Sequence, residues 1–301
     1  MAADPRTAVP SAHALRARYH SSDNNFAFRW PAVPARQFLA ERDRAFAADA
    51  PTGAVVLDTS DALATDYPAT TPTLLLRYLR VRAGESLRHT LTASGEIHHV
   101  IRGSGESTNG PDTVAWSEGD LFCFPGGVET EHRASTDALL LTGTNEPLLA
   151  FERLRPPPRD QARFETTHWP SADIENELRK VWARPITAQT TGHAVLFSSP
   201  ALAPSTNTIP SVNVAVNTLE AGRDQRPHRH NGVALVLCIE GDGVYSMVDG
   251  TRIDWSPGAV QITPAASLHS HHNRGADRMR CLIFQDEALH YYTRTPGFSF
   301  D

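Results

Sequence analysis

Residues Gly222–Asn273 read GRDQRPHRHNGVALVLCIEGDGVYSMVDGTRIDWSPGAVQITPAASLHSHHN. His228 and His230 are one residue apart in an extended run, so both side chains project from the same face of a strand. His269 follows the turn at Pro257-Gly258 and a second extended run. If the later strand lies beside the first, three imidazoles meet around one ion. Imidazole suits Zn, Cu, Fe and Ni, so the ligands alone leave the metal open. Five residues separate Gly222 from His228, Gly241 closes the strand pair, and Pro264 and Asn273 flank His269.

The same pattern occurs upstream. Gly84 to Gly103 spans nineteen residues, as does Gly222 to Gly241; Trp116 to Pro125 spans nine, as does Trp255 to Pro264. The offset is 138 early in the repeat (222 − 84) and 139 late in it (255 − 116), which one deletion before Trp116 explains. Two copies of one β unit imply two barrels. Subtracting 138 from His228 and His230 gives Thr90 and Thr92, and subtracting 139 from His269 gives Thr130. Threonine is a poor ligand for a transition metal, so the first barrel is expected to have lost its site. Glu96, His98 and His132 share the inward parity and form a shifted site or a polar pocket, a mutually satisfied buried cluster being the commoner arrangement. His89 and His99 have the opposite parity and are expected to face away.

Further out, residues 1–50 read as an N-terminal arm in which Phe26, Phe28 and Trp30 form an extended anchor. Residues 35–48 are a short helix turning Phe38, Leu39 and Phe46 to the core. Residues 51–151 make the first barrel. Residues 152–190 are a Pro-rich linker with a helix over 171–182, capped by Ser171. Residues 191–301 make the second barrel, with Asp249-Gly250 as a hairpin turn and the tail packed across a barrel. Residues 26–48 are the candidate surface for a homo-oligomer.

The 22 prolines and 19 glycines among 301 residues suit a turn-rich β fold, and a 40% hydrophobic content suffices for packed cores. A net charge of −6 and the lack of a basic run argue against nucleic acid. No apolar run approaches a membrane span or a signal peptide, so a cytoplasmic location is expected. Cys123, Cys238 and Cys281 lie in apolar runs and read as buried free thiols of a reducing compartment.

The motifs around His228 and His269 resemble those of the cupins: Gly, five residues, His-x-His; then Pro-Gly, five residues, Pro, His and Asn. The resemblance implies an all-β protein of two tandem cupin (jelly-roll) barrels, with short helices in the arm and the linker. Many cupins carry a glutamate four residues after His-x-His; here that place is Ala234. Three neutral imidazoles would leave a divalent ion its full charge and open positions, as in catalytic sites.

Within the cupins, HRHNGVALVLCIEG (His228–Gly241) and TPAASLHSHHN (Thr263–Asn273) are most similar to gentisate, salicylate and 1-hydroxy-2-naphthoate dioxygenases. That implies His228, His230 and His269 as ligands, His271 as a residue bonding substrate or oxygen, and Fe(II) as cofactor, with Zn, Ni, Mn and Cu as alternatives. It also implies a small hydroxylated aromatic or enolizable substrate and O2. An oxygen-independent isomerase, hydrolase or lyase, or a non-enzymatic ligand-binding bicupin, are the competing readings.

Two features depart from those enzymes. Their inward arginine falls on Val236, and the intact histidine set sits in the second barrel. Ala234 and Val236 give the pocket an apolar wall. Gln261 is either a pocket residue or a structural amide. Arg229 and His272 face outward by parity, and Cys238 faces the core.

Overall fold

The structure, a computed structural model, describes residues 11–23, 30–185, 187, 190 and 192–301. The chain divides into residues 1–31 and 32–301. In the first unit the described residues are exposed and include a 3-10 turn, Ala14–Arg16. Phe26 and Phe28 lie outside the described residues, and Trp30 is exposed.

The second unit runs α1 (Leu39–Phe46), β1 (Gly53–Leu57), α2 (Ser60–Leu63), β2 (Leu75–Val81), β3 (Ser86–Thr90), β4 (Gly95–Arg102), β5 (Ser104–Asn109), β6 (Asp112–Ser117), β7 (Leu121–Pro125), β8 (Glu129–Ala134), β9 (Ala138–Thr144), α3 (Glu146–Glu152), β10 (Thr167–Trp169) and α4 (Ser171–Trp182). It continues through β11 (His193–Phe197), β12 (Asn213–Leu219), β13 (His228–His230), β14 (Ala234–Glu240), β15 (Val244–Val248), β16 (Thr251–Asp254), β17 (Val260–Thr263), β18 (His269–Asn273), β19 (Met279–Gln285), α5 (Glu287–Thr293) and β20 (Phe298–Phe300).

All the strand pairings are antiparallel. The sheets β1-β2-β9-β4-β7-β10 and β3-β8-β5-β6 make the first barrel; β11-β12-β19-β14-β17 and β16-β15-β18-β13-β20 make the second.

The sheets β1-β2-β9-β4-β7-β10 and β11-β12-β19-β14-β17 carry central strands buried on both faces, so successive residues serve different cores. On β14, Leu235 and Leu237 join Phe284, Tyr78, Ile97, Leu139 and Leu141 in a core that spans both of these sheets, while Ala234, Val236 and Cys238 face the second barrel's interior. On β9, Leu140 faces the first barrel's interior. The seam is close: a side chain at Gly143 would strike the Phe284 ring. Tyr78 donates its hydroxyl to the carbonyl of Gly258, 2.6 Å away, and Gly258 holds φ at +77°. The motif turn of the second barrel is thus tied to a strand of the first. Cys123, Cys238 and Cys281 are free and buried.

Three local expectations change. Arg36 and Phe38 exchange backbone hydrogen bonds with Ile262 and Val260, so the chain is extended there and the helix begins only at Leu39, which points outward. Phe38 is buried as expected. The segment 152–190 includes β10, which pairs with β7 and extends the first barrel's sheet. Helix α4 matches the expected span, but Ser171 does not cap it; Asp120 Oδ1 accepts the N–H of Ser171 at 2.7 Å. Asp249 and Gly250 both have positive φ, as a tight two-residue hairpin turn requires.

Two outcomes are expected. Phe284→Ala removes a ring from the shared core and should cost about 3–5 kcal/mol in chemical denaturation. His99 is buried between the barrels, and desolvation pushes its pKa down to about 4 despite the hydrogen bond at Asp120. Between about pH 6.5 and 4 the unfolded chain binds this proton and the native state does not. Stability should therefore fall on acidification across that window, by up to about 3 kcal/mol from this group, and His99→Gln should flatten that part of the profile.

Candidate metal centre

Strand β13 pairs with β18 so that His228 lies directly opposite His269. The donor nitrogens of His228, His230 and His269 all fall within 4.8 Å of one another. Each ring is anchored at Nδ1 by a backbone carbonyl: Arg226 O at 2.9 Å, Gly232 O at 2.7 Å and Ser267 O at 2.9 Å, respectively. A carbonyl only accepts, so each Nδ1 carries the proton and each Nε2 presents a lone pair. This second hydrogen bond fixes the tautomer and orientation that metal ligation needs. Burial pushes all three pKa values down, His269 to about 3 with added repulsion from His228 and His230. The donor set therefore fits a divalent transition metal.

The triad opens onto a cavity of about 290 Å³ in the second barrel. Ala234, Val236 and His271 line it. Gln261 does not: its amide donates to Ser246 Oγ at 2.6 Å, away from the cavity. Arg229 is exposed and bonds Ala266 O. His272 stacks on Tyr245 and bonds Asp224 outside the cavity.

Sequence reading missed Asn213, Asn217, Thr263, Gln285 and Glu287, which also line the cavity. The alternation of Val212, Val214 and Val216 held the signal for the first two, because those valines face the seam and their neighbours on β12 face inward. The tail is strand β20, paired on β13, with Phe298 5.3 Å from the His228 ring.

His271 is set by a relay. Trp255 Nε1 donates to Ser246 Oγ at 2.7 Å, and Gln261 is the second donor. Both lone pairs of the hydroxyl are used, so its proton goes to His271 Nδ1, 2.9 Å away. His271 thus carries its own proton on Nε2, the nitrogen left free to donate. The first barrel repeats the device: Trp116 donates to Ser107, which bonds His132 Nδ1 at 2.6 Å. His132 is therefore the counterpart of His271 (271 − 139) and not a displaced ligand.

The first barrel's register corrects the assignment of Thr90. His89 lies opposite Thr130 as His228 lies opposite His269. The offset is thus already 139 on β3, one residue away from the 138 that the glycines suggest. Thr90 is exposed, and His89 turns in to meet Glu96 at 2.8 Å, contrary to its expected outward parity. Glu96 is the counterpart of Ala234 (234 − 138). Its burial opposes ionisation, but hydrogen bonds from His89 and His98 hold the carboxyl down at about 2. Phe122 and Phe124, fully buried, take the places of Gln261 and Thr263 and pack on His98 at 4.9 and 6.0 Å. The first barrel is filled where the second is hollow.

Residues 215–284 match the cupin domain family. The fold is all-β, two barrels in tandem of the kind that the cupin match over the second one describes. Gentisate 1,2-dioxygenase of a Ralstonia species is 30% identical over 82 residues, 27% of this chain; the match spans only 23% of that curated relative's length. Salicylate 1,2-dioxygenase from Pseudaminobacter salicylatoxidans superposes with a TM-score of 0.74 at 13% identity, over 92% of this chain and 91% of that one. A cupin 2 conserved barrel domain protein from Leptotrichia buccalis gives 0.51 at 13% identity, over 83% and 95%. The chain thus resembles gentisate 1,2-dioxygenase over a short stretch of sequence and salicylate 1,2-dioxygenase in its fold.

Ser246→Ala leaves the buried Trp255 and Gln261 donors unpaired. It should lower stability by about 1–3 kcal/mol in urea denaturation. It should also shift the nitrogen resonances of His271 by releasing its Nδ1.

Proposed function

We propose that this protein is a metal-dependent dioxygenase in which His228, His230 and His269 hold Fe(II) and which acts on a small hydroxylated aromatic or enolizable substrate. The supporting observation is the convergence of three lone-pair Nε2 atoms at the wall of a substrate-sized cavity. The likeness to gentisate and salicylate dioxygenases agrees with it. Iron(II), when bound, supplies a Lewis-acidic centre with open positions for substrate and oxygen chemistry.

The chain supplies the rest. Val236 and Ile283 give the cavity apolar walls, and Phe298 covers the ligand strand at its edge. His271 Nε2–H donates a hydrogen bond towards the reacting oxygens, held in that tautomer by Ser246. The Gln285 amide nitrogen sits 3.4 Å from His230 Nε2 and orients whatever binds beside it. A cytoplasmic setting suits the three free thiols.

Protein purified without air should hold about one iron per chain, and His228→Ala should lower that occupancy at least about tenfold. Oxygen uptake by the iron-loaded protein is expected with some member of a panel of catechols, hydroxylated aromatic acids and 1,3-diketones. Undiminished iron in the variant would refute the ligand set. Absence of uptake across the panel would refute the dioxygenase assignment.

A further inference from the structure

Three side chains cross the inner wall of the second barrel in one row. Thr263 on β17 pairs with Ala234 on β14, and Ala234 pairs with Gln285 on β19. The corresponding row of the first barrel is Phe124, Glu96 and Thr144. A ring and a carboxylate fill that row, whereas the methyl group of Ala234 leaves space between a hydroxyl and an amide.

Thr263 is fully buried and lines the cavity, and its hydroxyl has no hydrogen-bond partner within the protein. Such an orphan is costly unless something else satisfies it. Gln285, at the other end of the row, offers an amide next to His230.

The charges around the cavity are one-sided. Among the described residues neither Arg nor Lys lines it. Glu287 does, almost fully buried, with one carboxylate oxygen accepting the N–H of Gly232 at 2.6 Å. In a secluded site a carboxylate repels a second anion more strongly than it would in water. The other polar groups on the wall, from Asn213, Asn217, Gln225, Thr263, Gln285 and Tyr291, are neutral. The wall thus offers no side-chain cation to pair with a substrate anion.

We infer that the row Thr263–Ala234–Gln285 reads an uncharged oxygen, a ketone or hydroxyl, on a single-ring bidentate oxygen ligand, and that the cavity rejects a further carboxylate at that place. This rests on the metal-centre reading and narrows its substrate class to chelating diols or enols whose remaining body is neutral.

The test uses the full-length protein loaded with Co(II), whose visible bands report the ligand field without turnover. Catechol is titrated first, then two matched ligands, 3,4-dihydroxyacetophenone and 3,4-dihydroxybenzoate, which place a neutral ketone and a carboxylate at the same position. The ketone is expected to bind at least about tenfold more tightly than the carboxylate. Thr263→Val, which keeps the shape, should weaken the ketone about three- to tenfold and leave catechol unchanged. Val236→Arg, which adds a guanidinium to the wall, should reverse the preference within the pair.

Cobalt bands that respond to catechol, with the carboxylate bound as tightly as the ketone by the unaltered protein, would overturn this inference and leave the metal centre standing. An unchanged ketone affinity in a folded Thr263→Val protein would overturn the role of the row. Cobalt that fails to bind, or bands blind to catechol, would overturn both readings.

Discussion

The organising constraint is the two-sided burial of the sheets that meet at the seam between the barrels. A strand whose faces are both dry cannot spend either on solvent, so neighbouring residues must belong to different cores. On β14 that rule sends Leu235 and Leu237 to the seam between barrels and Ala234 and Val236 to the cavity. On β19 it sends Phe284 to the seam and leaves Gln285 beside the histidine triad. The histidine triad inherits its rigidity from this arrangement, because the residues that shape its cavity alternate along the chain with residues locked against another sheet.

The two barrels show which parts of this architecture are separable. The Trp–Ser–His relay persists in both, even though His132 faces a filled interior. The ligand set does not persist: a Glu96–His89–His98 cluster, capped by Phe122 and Phe124, stands where the second barrel has Ala234, His228 and Val236. Exchanging two phenylalanines for Gln261 and Thr263, and a glutamate for an alanine, separates a packed barrel from one with room for a ligand. The backbone supports both, and the interior side chains decide between them.

Much of this was legible in the chain because strand parity and motif spacing are local properties. His228, His230 and His269 could be brought together on paper from the spacing alone, and the duplicated unit from matching Gly and Trp intervals. The failures came from quantities that are not local. His89 was read as outward because the offset between repeats changes by one residue, and a shift of one residue reverses every side chain of a strand. Gln261 shares a strand with Thr263, but its direction is set by the distant Ser246. Asn213 and Asn217 were passed over because the valines between them gave the stronger apolar signal. Leu39 was assigned to the core because helical periodicity takes no account of the pairing of residues 36–38 with β17.

The seam also limits how the molecule can be taken apart. Freed of its neighbour, the second half would present Leu235, Leu237, Val260, Ile262 and Phe284 to water as one contiguous apolar wall. Such a fragment would hold every histidine of the triad and still be prone to clump. Engineering a minimal version of this centre would therefore mean rewriting the outside of the barrel before touching anything within it.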